Sequence, residues 1–450
     1  MRVRDPLPAR RVIQPSTTRV LTPPRHRESP ETRARAAAGR SEKARRSGRA
    51  GTQEAGAARG PVGPGPWHDA KHVSGEFLDH HADTRVTRRH IRFAQREVLH
   101  QESTLERVRK CGRATFGPTG DVLIRNNAGV AHYTGVTTCG SIWACPVCSG
   151  KIRNRRAEQI SKATADWDLK GNAVYMATFT MPHDVGMRLK ALLSTIADGF
   201  RATISGRAWL KLRKRLGVVG TIRAMEITHG ANGWHPHLHV LIYVDGLLDA
   251  QQLADLVLYL RDKWGRFITE AGYRLPSDEH GVDVQRCHSA AEAGAYVAKT
   301  QEGKGVGNEM ARADLKQGRQ GGLTPFELLD EFRWTGDAQV LRLWHEYEKA
   351  TKGRQCITWS KGLKALLLAD EDQDQSDEEI AAEEVGGDDV ALIRNETWRK
   401  VVARPGLTAG ILDAAERGGL EAINELLGRY GVPAVAPPPE MINRRGDQGP

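Results

Sequence analysis

The sequence predicts an α+β fold built on an antiparallel sheet, and three observations support this prediction. Between residues 171 and 300, short β-branched and aromatic runs alternate with long helical patterns in the order β-α-β-β-α-β. An Asn-Gly turn at residues 232–233 joins the two middle strands as a hairpin. Four of the six cysteines cluster between residues 111 and 148, ahead of this region. Together they predict a sheet in the ferredoxin-like (split βαβ) order, preceded by a small cysteine-rich module.

Each element of this order follows from its periodicity. Strands are assigned where β-branched and aromatic residues alternate with polar ones, and helices where apolar residues recur every three or four positions. In chain order we predict a strand at 174–180, a helical stretch at 184–216, strands at 221–228 and 234–244, a helix at 250–272, a strand at 282–286 and a helix at 289–300.

Composition divides the rest of the chain. Residues 1–60 hold 15 Lys and Arg against five acids and lack apolar periodicity, which is typical of a disordered basic tail. Residues 370–389 hold 11 acids and no base, and helical periodicity returns after them. We therefore expect a disordered tail at 1–90, a cysteine module at 91–170, the main domain at 171–365, an acidic linker at 366–390, a small helical module at 391–434 and a flexible tail at 435–450.

The charge and hydropathy of the chain limit its partners and location. The net charge is +11, and residues 61–369 carry the same surplus by difference, so the folded part is itself basic. A basic domain favours a polyanionic partner, nucleic acid above all, although charge alone is a weak signal. No apolar run approaches the roughly 20 residues of a membrane span, and the N-terminus lacks the apolar core of a secretory signal. We expect a cytoplasmic protein with no membrane partner.

The segment 234–240 carries three histidines at alternate positions. On a strand, His235, His237 and His239 project from one face, while the residues between them project from the other. Neutral imidazoles two residues apart can reach one divalent ion. The alternative is a solvated strand face that happens to be rich in histidine.

A carboxylate on the neighbouring strand completes a possible metal site. Folding the hairpin about residues 231–232 brings Glu226 within cross-strand reach of His237. One carboxylate and two imidazoles would leave open positions for a phosphate oxygen and water. The alternative is an exposed carboxylate that pairs with a basic neighbour.

A second set of chemically active residues lies on the helix predicted at 289–300. Glu292, Tyr296 and Lys299 stack on one face of it. They offer a carboxylate base, a phenolic nucleophile and a cation for phosphate. A solvated helix face is the ordinary explanation of such a stripe.

The cysteine cluster predicts a structural zinc site. The ligands would be Cys111, Cys139, Cys145 and Cys148, because the C-P-x-C knuckle lets two thiolates meet one tetrahedral ion. A redox pair or ordinary buried thiols are the alternatives. The cationic residues that follow directly either contact DNA phosphates or form a solvated helix face, and they are Lys151, Arg153, Arg155 and Arg156.

These motifs, taken in order, resemble those of the HUH endonucleases. The similarity is to the rolling-circle replication initiators of plasmids, close to those of actinobacteria, and it covers roughly residues 105–365. The first motif is the segment 178–183, which ends at His183, and the second is Glu226 with the segment 233–239. The third motif is Glu292-x3-Tyr296-x2-Lys299. The same initiators carry a similar cysteine cluster ahead of the catalytic domain.

The resemblance implies a chemistry for these residues. It implies Mn²⁺ or Mg²⁺ on His237 and His239, with Glu226 as the third ligand by position and His235 as a less certain neighbour. Tyr296 would attack a DNA phosphodiester and leave a 5′-phosphotyrosyl link and a free 3′-OH, while Glu292 would activate water for the terminating cleavage. Later strand transfer is the other way to end the cycle.

We therefore expect a plasmid rolling-circle replication initiator that nicks one strand of the double-strand origin. Its partners would be the origin DNA, with a single-stranded or cruciform nick region, and the host helicase and polymerase. The alternatives are an HUH transposase or mobilisation relaxase with the same chemistry, or a zinc-containing DNA-binding regulator without catalysis.

Overall fold

The computed structural model describes residues 80–289, 293–294, 322–368 and 375–438. The strands are β1 (Val122–Asn127), β2 (Val130–Thr134), β3 (Ala173–Phe179), β4 (Val218–Gly230), β5 (Gly233–Val244), β6 (Val282–Arg286), β7 (Ile357–Trp359) and β8 (Asp388–Ile393). The helices are α1 (His80–Glu102), α2 (Glu106–Lys110), α3 (Pro146–Leu169), α4 (Leu189–Thr203), α5 (Gly206–Arg215), α6 (Ala250–Glu270), α7 (Pro325–Thr335), α8 (Ala338–Thr351), α9 (Leu363–Leu367), α10 (Asp377–Ala382), α11 (Asn395–Val402) and α12 (Leu407–Arg429).

The larger sheet has five strands in the order β6-β3-β5-β4-β7, and every neighbouring pair is antiparallel. Strands β3, β4, β5 and β6 of this sheet, with the helices between them, follow the predicted β-α-β-β-α-β order. The helical stretch predicted at 184–216 is wrong as one element, since it forms two helices, α4 and α5. Residues 204–205 separate them: Ser205 is extended, and Gly206, the first residue of α5, has a φ of +80° that does not fit a continuous helix.

Helices cover both faces of this sheet. On one face Phe179 of β3 packs edge-to-face against Phe200 of α4 and Trp264 of α6. On the other face, Trp167 of α3 packs against Tyr243 of β5 and donates to the carbonyl of Val244. This second face also carries the side chains of Glu226 and the histidines, so the alternation of the strands separates the main core from the polar site.

The smaller sheet joins two distant parts of the chain in the order β2-β1-β8. Its core includes Ile124, Ile393, Trp398 and Ile411. The predicted separate helical module at 391–434 is therefore wrong as an independent unit, because a two-stranded hairpin buries too little apolar surface alone and takes β8 as its third strand. The boundary predicted at residue 170 is also wrong, since Cys111 and Cys145 share one core with the larger sheet.

The segment predicted as an acidic linker at 366–390 contains regular structure. It includes α10 and the start of β8, and Ile380 and Ala381 of α10 are buried. Ser376 caps α10 by accepting from the backbone N–H of Glu379. The prediction failed because two apolar side chains among many acids give little periodicity, although they suffice to anchor one helical turn.

The predicted end of the N-terminal tail at residue 90 falls inside α1. Arg89 pairs with Asp413 at 2.5 Å and also with Glu416, both on α12. These ion pairs join residues more than 300 positions apart, so no local pattern could reveal them. Residues 1–79 lie outside the described part of the chain. Within the described ranges, no helix combines the length and apolarity needed to cross a membrane.

Candidate metal centres and their surroundings

The β4–β5 hairpin assembles the predicted metal cluster. Its register places Glu226 opposite His237 and Ala224 opposite His239, as the turn predicts. Glu226 Oε2 accepts a hydrogen bond at 2.8 Å from His239 Nε2 and lies 3.9 Å from His237 Nδ1. One ligand atom from each residue lies within 4.8 Å of the others, so these three side chains can hold a metal ion.

The protonation of the cluster suits metal binding. Burial lowers the pKa of His237 to about 4, so at neutral pH its imidazole has a lone pair for a metal. Burial opposes the ionisation of Glu226, but the hydrogen bond from His239 and the nearby charges outweigh it and hold the pKa of Glu226 below its ordinary value. His237 Nε2 is buried without a hydrogen-bond partner among the described residues, which fits an imidazole that binds a metal ion.

Two further histidines extend the row of imidazoles. The ring of His235 lies 3.9 Å from that of His237, measured between centroids, and His183 lies 4.3 Å beyond His235. His183 also contacts the carbonyl of Asn232 in the turn at 3.0 Å through Nδ1. Neither residue belongs to the three-ligand cluster of Glu226, His237 and His239.

Thr178 orients one of the cluster residues, a role that the sequence analysis missed. Its Oγ1 lies 3.1 Å from His239 Nδ1, across the β3–β5 pairing. A partner on one ring nitrogen fixes the orientation of the imidazole and leaves the other nitrogen for a metal. Thr178 begins the first motif, and the antiparallel order of β3 and β5 is the signal that would have revealed its role.

Helix α3 connects the two candidate metal sites. Cys145 precedes its first turn and Cys148 lies in that turn, and Arg153 follows one turn later. Arg153 is 1% exposed and donates to Ser149 Oγ at 3.0 Å and to Cys356 Sγ at 3.1 Å. Its charge is also one of those that lower the pKa of Glu226. The prediction that Arg153 contacts DNA is wrong, because the guanidinium is buried.

The third motif is only partly described. Glu292, Tyr296 and Lys299 lie outside the described residues. Ala293 is fully buried in the core on the metal-bearing face of the sheet. Gly294 lies so close to α3 that a Cβ there would be 1.9 Å from Ser161 Oγ. These two residues of the motif therefore pack on the helix that carries Arg153.

The four predicted cysteines form a buried cluster. Cys111 Sγ lies 3.7 Å from Cys145 Sγ and 3.6 Å from Cys148 Sγ, while Cys139 Sγ lies 3.7 Å from Cys148 Sγ. A tetrahedral zinc ion with bonds of about 2.3 Å places its sulfurs about 3.8 Å apart. Hydrogen bonds from the other three thiols, Cys139 first, lower the pKa of the Cys111 thiol. All four sulfurs lie within 4.8 Å of one another, so the cluster can hold a zinc ion.

The remaining predicted DNA contacts are engaged within the protein. Lys151 Nζ donates to the carbonyl of Glu383, and Arg156 donates to the Asp377 carboxylate at 3.0 Å. Arg155 lies 3.9 Å from Glu158 on its own helix. Two of the three cations thus contact the segment that contains α10.

Comparison with known proteins gives two relatives. The chain is 33% identical over 351 residues to "Protein rep" of Streptomyces lividans, which covers 64% of this chain and 77% of that protein. It is 36% identical over 158 residues to "Neomycin resistance protein" of Streptomyces cyanogenus, covering 30% of this chain and 36% of the relative. No family model matches the chain, and no solved structure matches it.

Proposed function

Because the chain belongs to the family of the Streptomyces Rep protein, we propose that it is a plasmid replication initiator that nicks one strand of the double-strand origin. The observation that carries this proposal is the Glu226, His237 and His239 cluster, which lies on the sheet face where Ala293 of the third motif is buried. The motif order supports membership of the HUH endonucleases and a tyrosine nucleophile.

The chain provides a nucleophile and a means to position the phosphate. A divalent ion on Glu226, His237 and His239, Mn²⁺ or Mg²⁺, would neutralise a non-bridging phosphate oxygen. Tyr296 attacks the phosphorus, so a bond from its oxygen to phosphorus forms while the bond to the 3′ oxygen breaks. The phenol gives its proton to solvent and the departing 3′ oxygen takes one up, so the DNA ends in a 3′-hydroxyl primer and the 5′ phosphate is on the tyrosine. Lys299 offers a cation for the same phosphate.

The same residues of the protein would also end replication. In this proposal Glu292 takes a proton from a water that attacks the phosphorus of a second phosphodiester, whose bond to the 3′ oxygen breaks to leave a 5′ phosphate and a 3′-OH. Strand transfer by the 3′-OH is the other route to closure. Partners in this role are the origin DNA, in a single-stranded or cruciform form, and the host helicase and polymerase.

Zinc is proposed to be structural at the cysteine cluster. Cys145 and Cys148 lie at the start of α3, and Arg153 and the Gly294 contact lie further along the same helix. Fixing this end of α3 therefore holds the helix that supports the metal cluster. No chemical step involves these thiolates.

The decisive experiment uses Tyr296→Phe. The protein is incubated with labelled single-stranded origin DNA and Mn²⁺, and covalent protein–DNA adducts are separated on a denaturing gel. We expect an adduct with the wild type, none with Tyr296→Phe, and equal DNA binding by both. An adduct of undiminished yield would exclude Tyr296 as nucleophile, and no adduct with either protein would favour a non-catalytic regulator. A transposase or relaxase would form the adduct on DNA from another mobile element.

A further inference from the structure

A cleft of about 850 Å³ lies beside the edge strand β7. One wall is the loop at 140–144 after Cys139, and another is the chain at 351–364, which includes β7. The third wall is residues 375–378, where the segment 375–384 begins. We call residues 375–384 the acidic segment, because five of them are Asp or Glu.

The cleft is lined by cations once the acidic segment is set aside. The cationic lining residues are Arg107, Arg156, Lys352, Arg354, Lys361 and Lys364. The one carboxylate on the wall outside the acidic segment is Glu348, a buried residue that accepts from the backbone N–H of Thr104 at 2.7 Å. Glu348 is therefore committed to the fold, and the cleft offers positive charge.

An aromatic residue stands among these cations. Trp359 of β7 lines the cleft and is half-buried against the core on the metal-bearing face of the sheet. Single-stranded nucleic acid is bound by cations along its phosphate backbone, together with aromatic rings on which its bases stack. The chemistry of the wall thus matches one polyanionic strand.

The cleft adjoins the candidate metal cluster along β4. Ile357 of β7 pairs with Ala224, which lies two residues before Glu226 on the same strand. Residues two apart on a strand face the same way and are separated by about 7 Å. A strand of DNA in the cleft would therefore lie at the edge of the face that carries Glu226.

The acidic segment occupies the cationic cleft in this structure. Asp377 pairs with Arg156 at 3.0 Å, and Glu378 lies 3.3 Å from Arg107. Gly140 allows this approach, since a Cβ there would lie 2.8 Å from the backbone of Glu378. The carboxylates thus take the positions that phosphates would take on the same guanidinium groups.

We propose that this cleft binds a single strand of nucleic acid and that the acidic segment competes with the strand for Arg107 and Arg156. The inference rests on the proposed function, because the bound strand would be the DNA that the metal cluster cuts. The competition weakens the binding of any single strand to the cleft, since every strand must displace the carboxylates from the two guanidinium groups.

The test measures binding without cleavage. The probe is a short fluorescein-labelled single-stranded oligonucleotide of mixed sequence, and anisotropy is recorded without added divalent ion or chelator across a salt series in the full chain carrying Tyr296→Phe. We expect Lys352→Ala/Lys361→Ala to bind about tenfold more weakly, with a salt slope shallower by about 1.4 for two lost phosphate contacts. Lys190→Ala/Lys211→Ala removes the same charge from exposed positions on α4 and α5, and we expect little change.

Neutralising the acidic segment should have the opposite effect. We expect Asp377→Asn/Glu378→Gln to bind about threefold or more tightly than the parent, whereas Glu421→Gln/Glu425→Gln, with the same charge change on α12, should not. Glu378→Gln alone is the milder variant if the double variant loses stability.

Each outcome decides one part of the proposal. The single-strand cleft would be overturned if Lys352→Ala/Lys361→Ala and Lys190→Ala/Lys211→Ala lost the same affinity for the oligonucleotide. It would also be overturned if the protein bound the duplex of the same sequence more tightly than the single strand. An unchanged affinity in Glu378→Gln and in the double acidic variant would overturn the competition. Because Tyr296→Phe removes the proposed nucleophile and no divalent ion is added, a failure of this binding test is separate from a failure to form the covalent adduct.

Discussion

Replacing Gly294 by alanine tests whether the third motif depends on its contact with α3. The added Cβ would lie 1.9 Å from Ser161 Oγ and 2.8 Å from the carbonyl oxygen of Ala157. Favourable carbon contacts begin near 3.5 Å, so the glycine and α3 must separate by on the order of 1 Å. Such overpacking costs about 1–3 kcal/mol. Because Gly294 lies between Glu292 and Tyr296, and a 1 Å misplacement costs about 100-fold in rate, we expect adduct formation to slow by about that factor.

The assay follows single-turnover adduct formation on labelled single-stranded origin DNA with Mn²⁺, together with thermal unfolding of each protein. Gly428→Ala is the matched control, since a Cβ at that position meets no atom within 4 Å. Ser161→Ala removes the nearest atom, so the double variant should recover part of the rate. A Gly294→Ala protein that forms the adduct as fast as the wild type, with unchanged stability, would refute the argued contact.

Three further predictions follow from the metal and histidine sites. Glu226→Gln keeps the shape but removes the charge, so we expect at least about tenfold weaker Mn²⁺ binding by calorimetry; equal affinity would exclude Glu226 as a ligand. We expect elemental analysis to find about one zinc per wild-type chain and less in Cys145→Ser, which should also unfold at a lower temperature; active wild-type protein without zinc would contradict a structural zinc site. Burial lowers the pKa of His100 from 6.5 to about 4, so between these pH values the unfolded chain binds a proton that the folded chain does not. The free energy of unfolding should therefore fall as the pH drops from about 6.5 to 4. His100→Gln should make this fall smaller in urea titrations at a series of pH values, and an unchanged pH dependence would exclude His100 as its cause.

The metal cluster was predictable because one turn fixes it. Gly230 pairs with Gly233, so two residues form the turn and every later pair follows, including Glu226 opposite His237. The hydrogen bond of Glu226 is nevertheless with His239, which lies two pairs further along the hairpin, opposite Ala224. Diagonal reach depends on side-chain rotamers, which sequence spacing does not determine.

The edge strands β7 and β8 were not predictable from local sequence, whereas the edge strand β6 was. β7 has only three residues and pairs with β4, and β8 lies in a stretch dominated by acids. Their pairing is decided by partners far away in the chain, such as Arg125, which donates to Asp389 at 2.8 Å. The folding of α10 likewise depends on the ion pair of Asp377 with Arg156 and on the burial of Ile380, and a count of acidic residues reveals neither contact.

The β1–β8 pairing also affects how the protein is made. Arg125 and Asp389 are 264 residues apart, so the β1–β2 hairpin leaves the ribosome long before its third strand exists. At about 5–20 residues per second, the nascent hairpin waits on the order of 10 to 50 seconds with one edge unpaired. Until β8 emerges, that edge is open to pairing with other nascent chains on the same messenger. Synthesis rate and chaperone supply, rather than final stability, should therefore set the yield of the folded protein.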